Sequence, residues 1–159
     1  MDYDSEMKQA IEDLESTLRI RRGFMDSLVK ESDWAFVIQL HALVESAMNF
    51  LLGQAIGKPE LDDVISHLEL SGSRCGKVKF LEKLDLLDSN ERRFIRFLSE
   101  LRNDLVHNIS NVEFSFESHI ASMDRNKKEA FVNAVRFACA EKILIEDHVI
   151  PSSESPPVC

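Results

Sequence analysis

The chain is poor in residues that interrupt or cross-link a fold. Its 159 residues include five glycines and four prolines, and these gather at apparent helix ends and in the tail. That scarcity disfavours a turn-rich β architecture and leaves an all-α fold as the expectation. The three cysteines, Cys75, Cys139 and Cys159, are odd in number, widely spaced and without a CxxC pair. Neither a disulfide framework nor a zinc site is supported by that pattern. A glycine-rich phosphate loop and internal repeats are also missing. The acidic start, Met1 to Glu6, has no secretory-signal pattern, so a reducing cytoplasm is the expected location.

Two further absences narrow the partners. The segment Trp34–Leu52 has the length of a membrane span but contains Gln39, His41, Glu45, Ser46 and Asn49, which are costly at bilayer depth. It reads as the central buried helix of a bundle, and no membrane association is expected. Net positive charge is lacking as well: the formal charge is −9, which repels nucleic acid at long range and excludes a broad non-specific binder. Positive charge is concentrated locally in Arg19–Arg22, in Lys77, Lys79 and Lys83, and in Arg92, Arg93, Arg96 and Arg102. A short basic groove on an acidic body remains open. The run Arg19–Arg22 reads as a solvated helix end.

What the sequence does contain is helical periodicity. Hydrophobic residues make up 44% and charged residues 30%, the balance of one globular domain. About six helices are expected, packed as a bundle. The first covers roughly Ser5 to Lys30, with Gly23 as a candidate break, and the second Trp34 to Ile56, ended by Gly57. A short helix opened by Pro59 extends through Leu70. After the Ser71–Gly72–Ser73 loop another is expected from Gly76 to Leu87. The fifth starts at Asp88 or Ser89, both good N-cap types, and the last covers Asn126 to Val149. Ser110–Met123 is ambiguous: Val112, Phe114 and Phe116 alternate as in a strand, yet a lone strand has nothing to pair with. It is read as a loop leading into a turn of helix. Residues 1–150 are taken as a single domain and 151–159 as a disordered Pro/Ser-rich tail.

The fifth helix carries the most informative stretch, Leu101-Arg102-Asn103-Asp104-Leu105-Val106-His107. Phe94, Leu98, Leu101, Leu105 and Ile109 form its apolar stripe, and Arg96, Glu100, Asn103 and His107 a polar stripe on roughly the opposite face. Arg102 lies between them, separated from His107 by about 140° around the axis. Arginine forks onto phosphate oxygens, histidine moves protons near neutral pH, and asparagine can hold an oxygen or orient an imidazole. A site built from these residues needs another element, or a second copy, to close it. On the second helix His41, Glu45 and Asn49 recur at one-turn intervals. They read either as a polar ridge lining the site, with Glu45 anchoring Arg102, or as a solvated edge. One His and one Glu are too few ligands for a metal. No serine or cysteine has an evident base partner, so a nucleophilic hydrolase is not supported. The bland alternatives are that His107 sits at a helix C-terminus because the dipole favours it, and that Arg102 is a structural cation.

From Gln39 to Ile109 the layout resembles the HEPN superfamily. The resemblance rests on Ala42-Leu43-Val44-Glu45-Ser46 in a buried helix, a Gly-containing loop before Lys77-Val78-Lys79-Phe80-Leu81, the turn Leu86–Glu91, and the Arg-x4-His stretch with Asn after the Arg. It is most similar to the mannitol operon repressor group and related short stand-alone members. The resemblance implies an up-and-down helical bundle that dimerises through the motif helices, and no cofactor or metal. Two functions follow from it. One is a metal-independent endoribonuclease of a toxin–antitoxin or phage-defence system, with Arg102, Asn103 and His107 catalytic and Glu45, His41 and Arg96 supporting. The other is a non-catalytic regulatory or protein-interaction module of the transcription-regulator type. The partners implied are a second copy, RNA, and an antitoxin or regulatory protein. Ile109 stands where nucleotidyltransferase-regulated members often carry Tyr, so regulation by modification there is not expected.

Overall fold

The computed structural model describes residues 3–72 and 74–135. The described residues fall into two compact units, divided between Ser115 and Phe116; the sequence reading placed no division there. Among the described residues the structure is all-α, with eight α-helices and no strand. The first unit holds α1 (Tyr3–Thr17), α2 (Phe24–Leu28), α3 (Asp33–Ile56), α4 (Asp62–His67), α5 (Lys77–Lys83) and α6 (Ser89–Val106). Single-turn 3-10 segments cover Pro59–Leu61 and Ile109–Glu113. The second unit holds α7 (Phe116–Ser122) and α8 (Arg125–Val135).

Eight helices instead of about six reflect breaks that the sequence disguises. The first helix ends at Thr17, well before Gly23, and Arg19 takes the left-handed conformation at φ 54°. Glu15 makes that turn. Its carboxylate is 2% exposed and accepts hydrogen bonds from the Gly23 N–H at 2.8 Å and the Met25 N–H at 2.9 Å. It thereby caps α2 from the end of α1. An ion pair between Arg22 and Glu12 closes the same turn, and the Arg21 guanidinium donates to Ser27 Oγ at 3.1 Å. Two of the four residues in the basic run are thus engaged locally, as a helix-end reading requires.

The other boundaries follow from recognisable chemistry. Ser32 Oγ accepts from the Ala35 N–H and starts α3; Gly57, at φ 63°, ends it with its N–H bonded to the Gly53 carbonyl at 2.9 Å. Asp88 and Glu91 form a reciprocal capping box on α6, with bonds of 2.7 and 2.8 Å. The short α5 stops at Lys83, where Asp85 turns left-handed at φ 54°. Ser110–Met123 contains a 3-10 turn and a seven-residue helix, α7. Of the three alternating apolar residues only Phe116 is buried; Ile120 and Phe131 are buried in the same unit, and the Phe116 and Phe131 rings lie 6.5 Å apart. The expected last helix is described as far as Val135. Its continuation to Val149, Ala138, Ile145, and the expected tail lie outside the described residues.

In the first unit α3 is the axis on which α4, α5 and α6 pack. Leu52, Ile65, Leu70, Val78, Leu81, Leu87 and Ile95 form one buried cluster around its C-terminal half. At the other end Phe36, Val37, Leu40 and Leu43 are buried on α3, as are Leu98, Leu101 and Leu105 on α6. There the Trp34 Nε1–H reaches the Leu105 carbonyl at 3.5 Å. Early α3 therefore meets late α6, while Ile95 of early α6 meets Leu52 of late α3, so the two helices run antiparallel. Among the described residues only α3 is long and apolar enough to cross a membrane; three helices pack on it, yet only 28% of its apolar stretch is buried, less than the central buried helix expected from the sequence.

Hydrogen bonds from the Met25 and Gly23 N–H groups hold the Glu15 carboxyl below the usual carboxylate range, against the opposing effect of burial. A lowered native pKa means that the unfolded chain binds the extra proton first as pH falls. The stabilisation is complete at neutral pH and fades on acidification through the carboxylate range. Glu15→Gln should lower the denaturation midpoint at pH 7, and the gap from wild type should narrow as pH drops below about 4. A gap constant with pH would separate the effect from ionisation.

Candidate functional site

The site is assembled from α3, α5 and α6, and its deepest member is one that sequence reasoning did not select. The α5 start is tied to the α4 end by backbone bonds from Lys77 N–H to the Glu69 carbonyl at 2.8 Å and from Val78 N–H to the Leu70 carbonyl at 3.1 Å. Between them the chain doubles back so closely that a Cβ on Gly76 would lie 2.4 Å from the Gly72 nitrogen. That turn drives the Lys77 side chain inward until it is 0% exposed. A buried ammonium needs an anion and hydrogen-bond acceptors. It finds Glu45 Oε1 at 2.8 Å and the Ser66 carbonyl at 3.2 Å.

This corrects the expected pairing of Glu45 with Arg102. The Glu45 carboxylate, 37% exposed, is held by Lys77. His41, one turn before Glu45 on α3, is half-buried. Burial lowers its pKa from the ordinary histidine value. The nearby Glu45 carboxylate opposes that shift, and the Arg102 and Lys77 cations reinforce it. The structure thus brings together His41, Glu45, Lys77 and Arg102 in one electrostatic neighbourhood, with His41 favoured as neutral imidazole.

On α6 the half-buried Arg102 donates from Nη1 to the Asn103 Oδ1 at 3.1 Å. Asn103 is exposed. His107 is the residue following Val106 that closes α6; it keeps helical backbone angles, φ −76° and ψ −15°, and is exposed. The last turn of α6 is held from outside: Asn111 of the 3-10 turn donates its side-chain N–H to the Asp104 carbonyl at 2.8 Å. Arg96 is exposed on the stripe of Asn103 and His107, but about 10 Å before Asn103 along the axis. Nearer the start of α6, Arg92 approaches Glu82 at 3.9 Å and Lys79 pairs with the same carboxylate at 2.7 Å. The basic residues of that region are therefore partly neutralised by α5.

Of the six residues selected from sequence, His41, Glu45 and Arg102 share one neighbourhood, Asn103 is bonded to Arg102, and Arg96 and His107 lie farther along the exposed stripe. No trio of His, Cys, Asp and Glu side chains clusters as a metal-binding set among the described residues. Lys77 could have been found in the sequence from two misfits. A lysine at the first position of a helix opposes the dipole, and Glu45 inside an apolar helix demands a cation. No protein-family model, curated protein or solved structure matches this chain.

Two outcomes follow from this geometry. Glu45→Gln leaves a wholly buried ammonium unneutralised and should cost about 3 kcal/mol. Lys77→Met leaves a carboxylate that water can reach and should cost less, as measured by urea denaturation. Equal losses would place the burden of burial on both groups alike. Arg102→Ala removes a cation near His41 and should raise the His41 titration midpoint, followed by its imidazole proton resonances; an unchanged midpoint would mean that the guanidinium is not within electrostatic reach.

Proposed function

We infer that this chain is a metal-independent endoribonuclease of HEPN type, acting as a homodimer. The observation that carries the reading is the Arg102–Asn103 hydrogen bond set beside the exposed His107 on the closing turns of α6. Arg102 supplies a guanidinium for phosphoryl oxygens. Asn103 holds that guanidinium and keeps an amide for the phosphate. His107 presents an imidazole to solvent at the helix end, where a substrate can approach.

In the reaction proposed, His107 removes the proton from a ribose 2′-hydroxyl. The 2′-oxygen bonds to the adjacent phosphorus, the bond from phosphorus to the 5′-oxygen breaks, and the leaving oxygen takes a proton from the second copy's imidazolium, which becomes neutral imidazole. The products are a 2′,3′-cyclic phosphate and a 5′-hydroxyl. General acid–base catalysis of this kind contributes about 10²–10⁴-fold. Single-stranded RNA is the favoured substrate because a splayed strand can align its 2′-oxygen with the phosphate. The angular separation of Arg102 and His107 calls for a second copy to complete the groove. Val106, Ile109 and Val112 are exposed at that end of α6, Ile109 at 85%, and offer the second copy an apolar seam.

The test compares wild type, Arg102→Ala and His107→Ala on single-stranded RNA in EDTA, each checked for dimer by light scattering. Wild type should release cyclic-phosphate ends, both variants should lose at least 10²-fold in rate, and RNA methylated at the 2′-oxygen should survive. If all three preparations cleave equally, or none cleaves, the enzyme reading fails. The non-catalytic regulatory or interaction module then replaces it.

A further inference from the structure

His41 stands in the sequence as one member of a polar ridge, and its surroundings give it a definite role. The antiparallel packing sets Trp34 of α3 against Leu105 of α6, and Leu52 in one cluster with Ile95. Between those two levels, His41 is level with the part of α6 that carries Arg102, whereas His107 lies past the Trp34 contact. The Arg102 cation is close enough to act on the His41 imidazole. His41 is half-buried, yet among the described residues neither of its ring nitrogens has a hydrogen-bond partner. Neither is sealed from solvent, because Asn49 Oδ1 is the one buried side-chain polar atom left without a partner among the described residues. The same holds for Arg102 beyond its bond to Asn103: Nε and Nη2 are unpaired there and open to solvent.

Charge decides what these donors suit. Glu45, one turn beyond His41, is neutralised by Lys77, and Arg102 has no carboxylate partner among the described residues. One uncompensated positive charge is left, on Arg102. A cation would be repelled there, and an apolar group would cover the unpaired donors at a cost. An oxyanion accepts from both. Burial and the Arg102 and Lys77 cations hold the His41 pKa down, against the pull of Glu45. The imidazole therefore meets an anion as a neutral N–H donor.

We propose that His41 is a substrate-binding residue of this site, donating a ring N–H to a non-bridging phosphoryl oxygen of RNA beside the Arg102 guanidinium. The proposal rests on the ribonuclease reading for the identity of the phosphate, but not on cleavage itself. The neutral imidazole transfers no proton. It holds the oxygen on which charge gathers and leaves acid–base work to His107.

The test uses the full chain and single-stranded RNA methylated at every 2′-oxygen, which binds without being cleaved. In wild type this RNA should produce a saturable shift of the His41 imidazole proton resonances, and Arg102→Ala should abolish the shift. His41→Leu should bind the RNA about tenfold more weakly by fluorescence anisotropy, and His41→Gln, which keeps an N–H donor, should recover part of that loss. On cleavable RNA His41→Leu should lower kcat about tenfold without moving the limbs of the pH profile, which a proton-transfer role would move. Inorganic phosphate should shift the same resonances more weakly; if phosphate shifts them and RNA does not, the site takes a free anion and the proposal is overturned. It is overturned as well if RNA leaves His41 unchanged in wild type, if the shift persists in Arg102→Ala, or if His41→Leu binds and cleaves like wild type. None of those outcomes touches the rate comparison of Arg102→Ala and His107→Ala, on which the ribonuclease reading stands. If no preparation cleaves but RNA still shifts His41 in wild type and not in Arg102→Ala, the cleavage reading falls and the phosphate contact holds.

Discussion

A buried ammonium has to be neutralised where it sits, and most of the geometry of the first unit follows from how Lys77 meets that demand. The tight Gly72–Gly76 turn and the two backbone bonds from α5 to the end of α4 fix where the side chain enters. The Ser66 carbonyl and the Glu45 carboxylate fix where it ends. Three helices are thereby joined at one nitrogen atom. The pair itself need not add much to stability, since desolvation of both charges offsets their attraction. The pair is satisfied in the rotation and height of α3 that bring Glu45 to Lys77, and His41 and Asn49 lie one turn to either side.

The order of elements was legible in the sequence because it depends on local chemistry. Gly57, Pro59 and the Asp88–Glu91 capping box mark boundaries through backbone conformation and hydrogen bonding within a few residues. The misreadings share a different cause. The end of α1 at Thr17 depends on Glu15 capping a helix eight to ten residues ahead, and the turn after it puts an arginine, not a glycine, at positive φ. The alternation of Val112, Phe114 and Phe116 was not misread: it has the period of a strand, yet the loop and turn of helix expected there are what form, and only Phe116 among the three is buried. Periodicity reports the pattern of apolar residues; which of them find a core depends on tertiary contacts.

The candidate site divides along the same line. Arg102, Asn103 and His107 are readable because they sit in one helix at a recognisable spacing, and the helical wheel gives their relative directions. The partner of Glu45 was not readable in that way. Arg102 and Lys77 were both available cations, and the choice between them was made by a loop whose tight return brings Lys77 from 32 positions away in sequence. Once Lys77 takes the carboxylate, Arg102 is released to bond its neighbour Asn103. A cation committed to Glu45 would have been a structural tie; the observed one remains at the surface of the site.

The two ends of α6 are secured by different means, and this sets the local dynamics of the candidate site. At its start two side chains of the helix and its cap satisfy each other's backbone groups. At its end one amide from Asn111 and the distant indole of Trp34 hold carbonyls that the helix leaves open. Fraying therefore begins at the end that carries His107. Opening that turn requires only the release of those external contacts, with the buried core left intact. The imidazole thus belongs to a low-energy opening unit, whose closing free energy can be tuned at Asn111 with little effect on global stability. The chain that follows the helix supplies, through Asn111, one of the bonds on which the backbone turn before His107 depends.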